Sequence, residues 1–262
     1  MSNTPSQIGA EIADGIDEAL QLERTIRRFA TGGGLIPSTS PEFAAEIMRR
    51  NYLGPADAEK FFGVNPLLQD PAALHEVPWN KETLEALSET HILVAMPSLS
   101  ILDMRRIVVR RYTGLLARFR GREKVLFYDQ DAYDTMAFAR DKGEVRWQLI
   151  RKESVDRTFS KPWNEQVWYL NATEVPPYAQ TVVYAMIGHY LKTGERLFEK
   201  TRVRTADTCP DKRRVHVGDF DVMGLDIGFF TDERRDATLG IGSEQRPWTS
   251  PLPKKEPIIP ST

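Results

Sequence analysis

A chain of 262 residues with 41% hydrophobic and 10% aromatic side chains can bury a sizeable core, which excludes a disordered polymer. Thirty-five basic against thirty-seven acidic residues leave a formal charge of −2, so the chain has no overall electrostatic pull toward nucleic acid or an anionic membrane. One cysteine, Cys209, excludes an internal disulfide framework and a multi-cysteine zinc site.

In chain order, Ile8, Ile12, Ile16, Ala19, Leu22, Ile26 and Phe29 recur at steps of three and four, which predicts an amphipathic helix closed by Gly32-Gly33-Gly34. Gly9 and Gly15 weaken it, so it needs a partner surface, either its own domain or a second copy of the chain. Residues 1–36 are thus read as helix plus linker. Residues 37–91 are read as a helical lead-in: Ser40-Pro41 is a capped helix start, with further starts at Pro55 and near Asn80. Residues 92–144 form a mixed connecting region, in which the bounded apolar run Ile92–Met96 predicts a buried strand and "SILDMRRIVV" a helix. Between Arg105 and Lys124 stand eight cations and a single acid, Glu123, which reads either as a patch able to hold phosphates or, preferred, as a solvated basic face with apolar residues turned inward.

From residue 145 the order becomes strand, helix, helix, then several short strands. Val145, Trp147 and Leu149 alternate with polar residues as a half-buried strand does. "SKPWNEQVWYL" predicts one helix, and Ala179, Val182, Val183, Met186, Ile187 and Tyr190 stripe a second that Gly194 ends. "TRVRTA", "RRVHVGDF", "GLDIGFF" and "TLGIGS" then read as strands. A Pro-rich tail occupies 247–262. The expected class is α+β.

The chemistry-bearing residues do not assemble into a catalytic motif. Asp219, Asp221 and Gly224 resemble the start of an EF-hand loop, but Phe230 stands where its bidentate glutamate belongs, so hairpin turns are the preferred reading. Asp129, Asp131 and Asp134 suit a helix N-terminus. His75, His91, His189 and His216 have no zinc spacing, and neither a nucleophile elbow nor a phosphate loop is present. No enzyme activity, metal or cofactor is expected. Without an apolar run of about 20 residues or a basic, apolar leader, the expectation is no membrane span and a cytoplasmic location, with export by another route left open.

Residues 145–246 resemble a C-type-lectin-like domain of the kind shared with formylglycine-generating-enzyme folds, in which a strand and two helices precede a compact set of short strands. The ending is similar to the variable proteins of diversity-generating retroelements. It has a V-x-V-G-x-F strand (Val215, Val217, Gly218, Phe220), the pair Gly224-Leu225, a D-x-R-x-D turn (Asp232, Arg234, Asp236) and a closing L-G-I-G-S at residues 239–243. The E-P-N and Q-P-D motifs of calcium-dependent sugar binding are absent. The resemblance implies a rigid scaffold with a variable contact face. On it His216, Asp219, Asp226, Phe229, Phe230, Asp232, Arg235, Ala237 and Thr238 are the expected ligand-binding residues, while Phe220, Leu225 and Ile227 are core. Such a protein binds an unknown protein or surface ligand, forms homo-oligomers if the N-terminal helix self-associates, and has no predicted role with nucleic acid. The competing reading is a structural or virion-associated oligomer.

Overall fold

The structure is a computed structural model that describes residues 38–116, 126–128 and 132–247. The stripe within residues 1–36, the cations Arg118, Arg120, Arg122 and Lys124, the acids Asp129 and Asp131, and the tail beyond residue 247 lie outside these described residues.

Local signals start the first helices. Helix α1 (Pro41–Met48) is capped by the Ser40 oxygen, which accepts the Phe43 N–H at 3.3 Å. Strand β1 (Tyr52–Leu53) leads to α2 (Pro55–Phe62) and the short α3 (Pro66–Gln69). Helix α4 (Lys81–Leu87) starts behind Asn80, whose side chain accepts the Thr83 N–H at 3.0 Å. Strand β2 (His91–Met96) follows, with all six residues buried. A strand buried on both faces needs cover on both, and that requirement ties the lead-in to the rest of the chain. On one face Leu93 and Ala95, with Trp147 and Leu149, pack against Met48, Leu74, Trp79 and Leu84; on the other Ile92, Val94 and Met96 enter the main core.

Strand β2 pairs in parallel with β1 and antiparallel with β3 (Arg146–Arg151). Strand β9 (Glu244–Gln245) joins β3 to β4 (Glu174–Val175), giving the order β1-β2-β3-β9-β4. The stretches read from sequence as lead-in, connecting region and C-terminal domain therefore contribute strands to a single sheet.

Helix α5 (Ile101–Leu116) carries the described cations of the basic segment, two of which, Arg105 and Arg111, bind neighbouring segments while Arg106 pairs within the helix. Arg105 pairs with Asp134 at 2.7 Å, Arg106 with Asp103 at 3.4 Å, and Arg111 donates to the Lys60 carbonyl at 2.9 Å. Asp134 sits in a turn before α6 (Ala137–Arg140), not at the helix N-terminus expected for it.

After the short α7 (Trp163–Val167), helix α8 (Ala179–Thr193) is buried at every position from Ala179 to Tyr190. Its apolar stripe is the one the sequence predicts, but the helix lies between two sheets, so its polar residues are buried as well. Three find partners within the core: Gln180 donates to the Leu99 carbonyl at 2.6 Å, the Thr181 hydroxyl to Gln148 Oε1 at 2.9 Å, and the Tyr184 hydroxyl to the Ala95 carbonyl at 3.3 Å; His189 reaches Glu195 through Nε2 at 3.4 Å and leaves Nδ1 buried without a partner among the described residues. Burial of Val182, Val183, Met186 and Ile187 alone stabilises by about 6–12 kcal/mol. Gly194, at φ +77°, ends the helix in the left-handed conformation that a side chain disfavours.

The second sheet has the order β7-β6-β5-β8, built from β5 (Arg202–Thr208), β6 (Arg214–Asp221), β7 (Gly224–Phe230) and β8 (Leu239–Ile241). Val203, Val217 and Ile227 turn into the main core with α8, and Phe220 and Leu225 are each 0% exposed. The opposite face is covered at its β8 side by residues 155–170, where Val155 and Leu170 pack on Ile241. The fold is α+β, and among the described residues no helix is long and apolar enough to cross a membrane.

Candidate recognition surface

Alternation along paired strands fixes which side chains share the face of the second sheet turned away from α8. The register sets Arg202 opposite Gly218 and Arg204 opposite His216 between β5 and β6. Across β6 and β7 it sets Arg214 opposite Phe230, His216 opposite Gly228 and Gly218 opposite Asp226. Three arginines, a histidine, a carboxylate and an aromatic ring therefore lie on one face.

Arg204 is 0% exposed, although it occupies a position that alternation alone would send to solvent. Its guanidinium donates to the carbonyls of Lys161 (3.1 Å), Thr231 (3.1 Å) and Arg234 (2.7 Å) and to Gln166 Oε1 (2.9 Å). Burial lowers its pKa to about 10, opposed by the nearby Asp232 carboxylate. The group stays charged at neutral pH and clamps two surface segments onto β5. Backbone bonds reinforce the clamp: Trp163 N–H donates to the Asp232 carbonyl at 2.8 Å, and Ser160 N–H to the Asp236 carbonyl at 2.9 Å.

His216, expected on the contact face, is instead 3% exposed. Its ring lies across Gly228, where a Cβ would come within 2.8 Å of the imidazole, and stacks on Phe230 at 4.5 Å and 23°. Burial, with Arg202 and Arg204 close by, pushes the imidazole down to about 3, so it is neutral. The alternation is correct, but the covering segment turns this part of the outer face into a second interior. His216 supports Phe230 from beneath.

Asp219 and Asp226 stand near the turn end of the β6–β7 hairpin, and both pair with Arg202. Burial raises the Asp226 carboxyl and Arg202 opposes the shift. The Arg202 N–H also donates to the Thr238 carbonyl at 2.8 Å, so the segment after Phe230 ends beside these two acids, while Phe230 and Asp232 stand at the opposite end of the strands, next to Arg214. There Asp232 accepts two bonds from Arg214, at 3.1 and 3.2 Å, while the Arg214 guanidinium lies 3.9 Å from the Trp163 ring centroid. Asp232 is an anchor of the turn. Asp236 is another: the Thr238 N–H and hydroxyl and Arg234 together hold its carboxyl down at about 2.

Phe229 and Phe230 are half-buried, with Phe229 packed against the main core and Arg213 and Arg234 over the two rings at 4.7 and 5.2 Å. Arg235, Ala237 and Thr238 are exposed, and Arg235 donates to Glu165 at 2.9 Å. The structure therefore brings together Phe230, Asp232, Arg235, Ala237 and Thr238 on a pinned turn. The sequence reading missed Arg204, Arg214, Trp163 and Arg234; nothing local distinguishes Arg204 from Arg202 in "TRVRTA".

Among the described residues no three His, Cys, Asp or Glu side chains are grouped as a metal would require. Cys209 is buried, and burial raises its thiol pKa, which disfavours the nucleophilic thiolate. No family model matches this chain, and no curated protein or solved structure matches it.

Proposed function

We propose that this is a non-enzymatic ligand-binding protein whose contact surface is the turn of residues 231–238 with Phe230 beside it; Phe229, on the opposite face of β7, packs against the core instead. We further propose that residues 145–246 form a C-type-lectin-like scaffold of the kind used by variable proteins of diversity-generating retroelements. The observation that carries the reading is a division of roles inside one turn. The carbonyls of Thr231 and Arg234 are held by the buried Arg204, Asp232 by Arg214 and Asp236 by Thr238, while Arg235 and Ala237 project to solvent. A turn fixed from below loses little conformational entropy when it binds, and its outward side chains can change without disturbing the frame.

The scaffold reading draws support from chain topology. Strand β3 pairs with β9, so the first and last strands of the 145–246 stretch meet; α7 and α8 lie between them in sequence, followed by the antiparallel β5, β6 and β7. The test is to sequence the locus downstream of the gene in several isolates. A near-copy of the segment encoding residues 205–245, differing mainly at adenines and lying beside a reverse transcriptase gene, is the expected result. Its absence, together with invariance of codons 230–238, would reject the diversified surface.

A further inference from the structure

Trp168, just beyond α7, is 72% exposed, and the adjacent Tyr169 is 39% exposed. Leaving a tryptophan this open forgoes the large burial energy its ring can supply within a fold, and beside Tyr169 and two cations it has the composition that concentrates at protein interfaces. These rings are continuous with the turn described above. Glu165 precedes Trp168 by three residues, a spacing that makes the two neighbours on the helix surface. The Glu165 carboxylate receives Arg235 at 2.9 Å and lies 3.6 Å from Lys161 Nζ, which stands 5.3 Å from the Tyr169 ring centroid. Behind them Gln166 is 0% exposed and donates to the carbonyls of Thr158 at 2.8 Å and Leu239 at 2.9 Å, so the segment presenting the rings is itself fixed.

The cluster holds one carboxylate between two cations, leaving one net positive charge beside two open rings. Building on the reading of residues 230–238 as a binding surface, we infer that Trp168 and Tyr169 are its anchor, and that the partner is a polypeptide segment presenting a carboxylate next to an apolar side chain. The rings supply contact area at low entropy cost, and Arg235 and Lys161 orient the carboxylate. Trp, Tyr and Arg are also the residues that concentrate binding energy at protein interfaces.

The experiment pans a random dodecapeptide phage library on the immobilised full chain and titrates enriched peptides by fluorescence polarisation. Enriched peptides should combine Asp or Glu with Leu, Phe or Trp. Trp168→Ala and Arg235→Glu should each weaken them by about thirtyfold, the loss typical of an interface hot spot. Leu68→Ala, which removes an 84% exposed side chain from α3, should leave them unchanged. Binding that survives Trp168→Ala but is lost in Ala237→Arg would overturn the anchor while leaving the recognition surface standing. Peptides indifferent to all these changes would count against both readings. No enrichment of acidic and apolar peptides, or enrichment of basic ones, would overturn the inference itself.

Discussion

Replacing Arg204 by methionine removes the clamp while keeping an unbranched, apolar side chain of similar length. Four hydrogen bonds to a charged donor are lost, each worth about 1.5–3 kcal/mol, or roughly 6–12 kcal/mol in gross terms. Against this stands the cost of burying the guanidinium, which lowers its pKa to about 10 despite the nearby Asp232, a net penalty of roughly 3 kcal/mol that methionine does not incur. Part of the remainder is recovered as the released carbonyls of Lys161, Thr231 and Arg234 turn toward water. The expected net loss is about 3–5 kcal/mol, the range for breaking a buried polar network from one side. Urea unfolding of the full chain measures it, and amide hydrogen exchange at residues 231–238 should accelerate well before global unfolding. A variant within about 1 kcal/mol of the parent, with unchanged protection in the turn, would refute the claim that Arg204 holds it.

Acid should destabilise the fold through its buried neutral histidines. Burial lowers His91 to about 4, and burial with Arg202 and Arg204 lowers His216 to about 3. Because the unfolded chain binds these protons more readily, the neutral-state stability is intact above about pH 6.5 and is lost progressively as pH falls toward the folded values, by about 5 kcal/mol for the pair at pH 4.5. Unfolding curves from pH 7 to 4.5 should show this slope, and His216→Phe, which keeps a flat ring over Gly228, should reduce it by about half; an unchanged slope contradicts the assignment. Asp232→Ala should cost about 1–2 kcal/mol through loss of the two-pronged Arg214 pair, which is partly exposed, and should raise exchange at Thr231–Asp236; an unaltered melting temperature would place Asp232 outside the frame. Gly228→Ala puts a methyl group against the His216 ring and should cost about 1–3 kcal/mol, with the Phe230 ring resonances shifting by NMR; silent spectra would argue against the stack.

Signals that act within a few residues were legible in the sequence. Ser40 with Pro41 and Asn80 start helices where expected, Gly194 ends one, and the spacing of Ala179 through Tyr190 gives the buried stripe of α8. Phe220, Leu225 and Ile227 are core as their strands required. What depends on long-range packing was not legible. The pairing of Tyr52 and Leu53 with Leu93 and Val94 joins segments that looked separate, because a two-residue strand has no periodicity to read. For the site, alternation placed Arg204 and His216 on the outer face, as it should, but it carries no information about residues 155–170 folding over that face. Ion pairs such as Arg202 with Asp219 and Asp226 are equally silent in one dimension. Alternation therefore carried the candidates only as far as a strand face, while the burial of His216, the packing of Phe229 on the core and the division between side chains that hold the turn and those that face outward came only from the structure.

That division is the central claim, and a saturation scan of residues 202–238 and 160–170, displayed in the full chain and selected for resistance to protease, tests it most directly. The account predicts that Arg204, Gln166, Arg214 and Asp232 tolerate few replacements, while Arg235, Ala237 and Trp168 accept most of them with stability changed by less than about 0.5 kcal/mol. Equal intolerance at the two sets would contradict it, because a surface that cannot vary without unfolding is part of the frame.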